Sequence, residues 1–232
     1  MTAERGKRRV FIAVCLSLAI PFAGLGVWQI QRLFWKLDLI ERVDARVHAA
    51  PASLPTNLDA LRPQDIEYRR VRVSGRLQND RQTFVDALTE LGPGDWVVTP
   101  LQTSQGTVLI NRGFVAKGMR EKVSSPAGVV NITGLLRLSE PGGRFLRANR
   151  PAQDLWYSRD VAAIARKRGL GSTAPVFIDA DATPNLGGYP VGGLTMVKFR
   201  NAHLVYALTW FGLAALCVAG LVLLLKPAQK RG

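Results

Sequence analysis

Two uncharged apolar runs, one near each end, constrain this chain more than any other feature. Between Arg9 and Arg32 stand 22 residues with no formal charge, and between Arg200 and Lys226 stand 25. At about 1.5 Å per helical residue, either run can cross a hydrocarbon layer of about 30 Å. A wholly cytoplasmic protein is excluded. Arg5, Lys7, Arg8 and Arg9 precede the first run, and Lys226, Lys230 and Arg231 follow the second. Basic residues beside a membrane helix favour the cytoplasmic side, which predicts a hairpin with both termini inside. The expected divisions are a basic N-terminus (1–9), a transmembrane helix (10–31), an outer domain (32–200), a second transmembrane helix (201–225) and a basic tail (226–232). A cleaved signal peptide is the competing reading of the first run, but it calls for an apolar core of about 7–15 residues and an Ala-x-Ala site. Pro21 is expected to bend the first helix. Ala19 with Ala23, and Ala215 with Ala219, offer small-residue pairs for close helix packing.

The region between the runs reads differently. Leu33, Leu37, Ile40, Val43 and Val47 recur at helical spacing, predicting an amphipathic continuation that ends before Pro51. From Tyr68 the pattern becomes alternating: Val71, Val73 and Leu77 share one face, and Arg70, Arg72, Ser74 and Arg76 the other. Asn79-Asp80 is expected to turn this strand back into 81–88, and Ser104-Gln105-Gly106 to join 96–103 to 107–115. Strands are also expected over 129–138, 176–179 and 194–200, and a helix over 158–169. Many short strands with one helix make an α+β domain, mainly an antiparallel β barrel or sandwich. Both cysteines, Cys15 and Cys217, lie in the apolar runs. The middle region therefore has neither a disulfide framework nor a cysteine zinc site.

The formal charge is +14. Setting aside seven basic residues and Glu4 in the tails leaves 24 basic against 16 acidic residues, a net +8 for the middle. On the outer side of a membrane that surplus fits anionic headgroups, not nucleic acid. Enzyme templates are absent: there is no Gly-x-x-x-x-Gly-Lys-Ser/Thr loop and no His-Glu-x-x-His helix. A Ser-His-Asp arrangement would need His48, on the juxtamembrane helix. The chain is expected not to be an enzyme. His203 opens the second apolar run, where an imidazole either bonds to interfacial groups or ligates haem iron or copper. Tyr206 and Trp210 follow at three and seven residues, as an interfacial aromatic belt or as walls for a flat macrocycle.

Several short motifs follow one another along the chain, beginning with Gly26-Val-Trp-Gln-Ile-Gln-Arg32, Glu67-Tyr-Arg-Arg-Val-Arg-Val-Ser-Gly75 and Asn111-Arg-Gly-Phe-Val115. After them come Glu140-Pro-Gly-Gly-Arg-Phe145, Asn149-Arg-Pro151, Trp156-Tyr-Ser-Arg-Asp160 and Asn201-Ala-His-Leu-Val-Tyr-Ala-Leu-Thr-Trp-Phe211. In this order they resemble the surfeit locus protein 1 family of cytochrome c oxidase assembly factors. The resemblance implies an assembly factor for haem-copper oxidase that binds haem a transiently and helps it enter the catalytic subunit. His203 would be the axial iron ligand, with Tyr206 and Trp210 beside the cofactor and Arg200 or Lys198 near its propionates. The implied partners are oxidase subunit I, haem a synthase and membrane lipid. The alternative is a structural partner that steadies a subunit I intermediate without binding haem. No mitochondrial transit peptide is recognisable before the first helix, so the expected location is a bacterial inner membrane with the main domain in the periplasm.

Overall fold

The computed structural model describes residues 2–58, 61–185, 187–195, 197 and 199–225. The expected tail over 226–232 and Lys198 lie outside the described residues. The chain divides into two units, Met1–Arg42 with Lys198–Gly232, and Val43–Val197.

The leading apolar run and its amphipathic continuation form one helix, α1 (Thr2–His48), which belongs to the first unit as far as Arg42 and runs through Pro21 without a break. The second run forms the last helix, His203–Leu225. Both are long and apolar enough to cross a membrane. They pack antiparallel. His203, Ala207, Trp210, Ala214 and Cys217, spaced four and three apart, are less exposed than their neighbours and form the seam. Trp210 stacks on Phe22 with ring centroids 5.6 Å apart. Gly26 makes room for the Phe211 ring, which would have to shift if a Cβ stood there, at 2.6 Å from it. Ala215 and Ala219, expected at the interface, are instead exposed, since they lie off the seam. Cys15 and Cys217 are both free thiols.

The second unit is a barrel. Its strands are β1 (Ala52–Ser53), β2 (Arg70–Leu77), β3 (Thr83–Thr89), β4 (Gly92–Thr103), β5 (Gly106–Ala116), β6 (Val129–Leu138), β7 (Gly143–Arg144), β8 (Arg147–Ala148) and β9 (Thr173–Ala180). A short helix α2 (Pro63–Ile66) precedes β2, and α3 (Val161–Arg168) precedes β9. The final helix is therefore α4. The main sheet has the order β1-β2-β6-β9-β5-β4-β3. A further pairing of Arg76 with Gln102 and Leu77 with Leu101 closes β2, β6, β9, β5 and β4 into a ring. The pairings are antiparallel except β5–β9 and β1–β2, so the barrel, not the sandwich, is realised.

The expected hairpin at Ser104-Gln105 forms, with Thr103 opposite Gly106. The one at Asn79-Asp80 does not. Those residues form a 3₁₀ turn, and β2 and β3 each pair with β4 instead of with each other. β4 is long enough at twelve residues to serve both, bending at a register shift between Trp96 and Val98. The strand expected over 194–200 is absent among the described residues, and 143–148 carry a small hairpin that the alternation pattern did not mark. Helix α3 starts later than the expected 158, at Val161. Asp160 is its N-cap, accepting from the Ala163 N–H at 3.0 Å, and Gly169 ends it in the left-handed conformation.

Strand alternation sorts the core in two. Val71, Val73, Val108, Ile110, Leu136, Val176 and Ile178 fill the barrel. Leu109 and Phe177, one residue out of phase, face outward and are covered by Trp156 and by Val161 and Ile164 of α3. Covering both faces explains why β5 is buried along nearly its whole length.

Candidate functional site

His203 is the first residue of α4, and the Asn201 carboxamide oxygen accepts from its backbone N–H at 3.4 Å. Its Nδ1 lies 2.7 Å from Oε1 of Gln29 on α1. A carboxamide oxygen can only accept, so Nδ1 carries the proton and donates. The neutral imidazole then presents Nε2 as a lone-pair donor, and no partner for Nε2 exists among the described residues. A second polar group that fixes the tautomer and ring plane is the usual support of a metal-ligating imidazole. Trp210 shares the seam with His203. Tyr206 does not, and is 55% exposed. Phe22, through its stack with Trp210, joins the aromatic surface on this helix pair. Lys36 Nζ sits 4.9 Å from the Phe199 ring centroid, and Arg200 is exposed. No group of three or more His, Cys, Asp or Glu side chains converges among the described residues. The donor set thus fits a metal centre that brings its own equatorial ligands and takes one imidazole from the protein, as haem iron does.

His48, at the end of α1, is exposed and turned to Asp44, with Nδ1 3.0 Å from the Asp44 carbonyl oxygen. It meets no nucleophile and builds no triad among the described residues.

The outer face of the barrel carries a second constellation. Asp179, on β9, is 3% exposed. Its Oδ1 accepts from Asn111 Nδ2 at 2.7 Å and from Arg159 Nη1 at 3.2 Å, and its Oδ2 from Arg137 Nη1 at 2.9 Å. Arg137 also donates to Glu67 at 2.7 Å, and Arg159 to both oxygens of Glu140 at 2.6 and 3.0 Å. Both guanidinium groups stack against Phe177, at 5.9 and 4.7 Å. Burial alone would lower the Arg137 pKa, but Asp179 and Glu67 outweigh it and hold that pKa above its usual value. Burial would raise Glu140, but Arg159 outweighs it and holds the carboxyl below its ordinary value. The Asn149 side chain ties in the next segment, accepting from the N–H groups of Tyr157 and Ser158 and donating to Ser158 Oγ.

The family model that matches this chain is the SURF1 family, over residues 16–215. That range takes in most of both long helices and the entire barrel. The chain is 38% identical to surfeit locus protein 1 of Rattus norvegicus over 83% of its own length and 68% of that protein. It is 37% identical to the Homo sapiens protein over 87% and 73%, and 34% identical to a SURF1-like protein of Monosiga brevicollis over 93% and 88%. The chain belongs to the SURF1 family.

The structure divides the SURF1-family motifs by task. Glu67, Asn111, Arg159 and Asn149, from four separate motifs, meet in or beside one ionic network that joins the barrel to the 140–160 segment. Gly113 of the Asn-Arg-Gly motif has φ +130, and a Cβ there would lie 2.2 Å from the Val191 carbonyl oxygen. Gln29 and His203, from the first and last motifs, meet on the helix pair. Reading the sequence did not single out Gln29. The available signal was a carboxamide inside a charge-free run, which needs a partner when buried, and Gln29 is only 9% exposed. The network also escaped that reading, because its members are spread from residue 67 to residue 179.

Proposed function

We propose that this chain is an assembly factor for a haem-copper cytochrome c oxidase, binding haem a through His203 and assisting its insertion into the catalytic subunit. Membership of the SURF1 family supports the assembly role. The single observation that carries the haem reading is the His203–Gln29 hydrogen bond of 2.7 Å, which commits Nδ1 and leaves Nε2 for iron. Haem a would be cargo, its iron accepting the imidazole lone pair. Gln29 orients the ring, and the Trp210–Phe22 stack supplies flat apolar surface nearby. A single protein ligand holds iron less firmly than two would, which suits transfer. The partners proposed are oxidase subunit I, haem a synthase and membrane lipid. The basic residues before the first apolar run and after the second support a hairpin with both termini on the cytoplasmic side and the barrel on the outer side. The location proposed is a bacterial inner membrane, with the barrel in the periplasm.

The test is an absorption spectrum of the protein purified from cells that make haem a. Wild type should carry haem. His203→Ala should lose it or shift its spectrum while still inserting in the membrane, and His48→Ala should not. Unchanged haem in His203→Ala overturns the ligand assignment. Co-purification with subunit I and no haem at all favours the structural-partner reading.

A further inference from the structure

The mouth of the barrel holds a cavity of about 170 Å³. Its walls include Leu77 of β2, Val130 and Ile132 of β6, Ala180 of β9 and Arg112 of β5. Strand alternation gives all of them the inward phase: Arg112 follows Val108 and Ile110, Ala180 follows Val176 and Ile178, and Leu77 follows Val71 and Val73. Arg112 therefore points into the barrel, opposite in sense to its neighbour Asn111, which joins the outer network.

Arg112 is unlike the arginines on the outer face. It is 4% exposed and faces no carboxylate within ion-pair distance among the described residues. Its Nη2 donates to Ser124 Oγ at 2.9 Å, and its Nη1 is buried with no partner. Arg112 lines the cavity together with Pro126, two residues after Ser124. Burial lowers the Arg112 pKa to about 10, which still leaves it charged at neutral pH. A buried, unbalanced cation with an idle donor is costly, and an anion in the cavity removes that cost.

The rest of the lining narrows the class of anion. Leu77, Val130, Ile132 and Ala180 offer apolar surface on one side, while Asn131, Thr133, Thr183 and Asn185 add uncharged polar groups. Asp181 also lines the cavity, with Arg70 Nη2 3.9 Å from its carboxylate, so the site holds one unpaired positive charge and tolerates no surplus of negative charge. A planar monoanion with a short apolar body satisfies these conditions, and a dianionic phosphate does not. Guanidinium and carboxylate also match in shape, two donors to two oxygens. We propose that the barrel mouth is a binding site for a small organic carboxylate, held by Arg112. The site lies wholly within the barrel unit and does not depend on the assignment of His203.

The experiment is a titration of the full chain in detergent micelles with sodium butyrate, followed by the arginine Nε–H signals in nitrogen-15 NMR. One arginine signal should shift saturably, and Arg112→Lys should weaken binding by roughly tenfold, because lysine keeps the charge but loses the planar two-donor fork. Asp181→Asn, which removes the opposing charge, should tighten it. This second variant keeps the test decisive if Arg112→Lys does not fold. No saturable shift with butyrate overturns the proposal, as does equal affinity in wild type and Asp181→Asn. Inorganic phosphate saturating the same signal more tightly than butyrate overturns the carboxylate assignment.

Discussion

The two faces of the barrel wall handle their arginines in opposite ways. On the outer face Arg137 and Arg159 share Asp179 and each takes a further carboxylate, Glu67 or Glu140. On the inner face Arg112 has one hydroxyl. The outer groups are matched donor for acceptor, which is what a structural network needs, since each partner removed leaves a buried charge exposed to low dielectric. The inner group is left in surplus. A buried charge with its partners already in place holds the fold, whereas one without them is available to a ligand.

The sharpest break of that contrast is Asp179→Ala. It removes the buried carboxylate that two half-buried guanidinium groups share, leaving each with one acid, and should cost the barrel about 3 kcal/mol. Urea unfolding of the full chain in detergent, read by tryptophan fluorescence, measures it, and a loss under about 1 kcal/mol would deny the network its structural role. Arg112→Met should behave in the opposite way, staying within about 1 kcal/mol of wild type or rising above it, because it removes an unbalanced charge and fills the space with an apolar chain. A loss as large as that of Asp179→Ala would erase the distinction between the faces. Asp160→Ala removes the α3 cap beside the network and should cost about 1 kcal/mol by the same measurement. Arg42→Ala, which breaks a solvent-exposed pair with Asp38, should change stability by less than about 0.5 kcal/mol.

The outer network also predicts an acid limb. Arg159 holds Glu140 below its ordinary value of 4.5 in the folded state. A carboxylate depressed on folding adds stability that is fully present above the unfolded pKa and is lost as pH falls through the folded one. Barrel stability should therefore decline as the solution is acidified below about pH 4.5, and Glu140→Gln should flatten that decline. An identical acid profile in the variant would remove Glu140 from the network's energetics.

Some of this architecture was legible in local pattern. The charge-free runs required long helices, since backbone groups in an apolar medium must be satisfied within the segment. Alternation located β2, β5, β6 and β9 and the hairpin at Ser104-Gln105, because period-two patterning and turn residues act over a few positions. The β2–β3 hairpin that Asn79-Asp80 predicts does not form, for the same reason. Asn79-Asp80 is a good turn, but nothing local says whether the returning strand pairs with the one before it or with β4.

His203 stood out in the sequence because an ionisable residue at the head of an apolar run is rare. What it touches did not. Gln29 lies 174 positions away, and packing of the two helices brought its oxygen to Nδ1. The helix seam likewise chose Ala207 and Ala214 and left Ala215 and Ala219 outside, a rotation that small-residue spacing does not specify.

From sequence alone came the two apolar helices, the β-rich domain between them and the residue types available for chemistry, all consequences of short-range periodicity and charge. Tertiary structure decided that β4 closes a ring by pairing with β2 as well as β5, that five distant charged side chains share one outer face, and that Arg112 turns inward without a carboxylate. Those outcomes depend on contacts between residues far apart in the chain, and their free energy appears only when the barrel closes and excludes water from both faces of its wall.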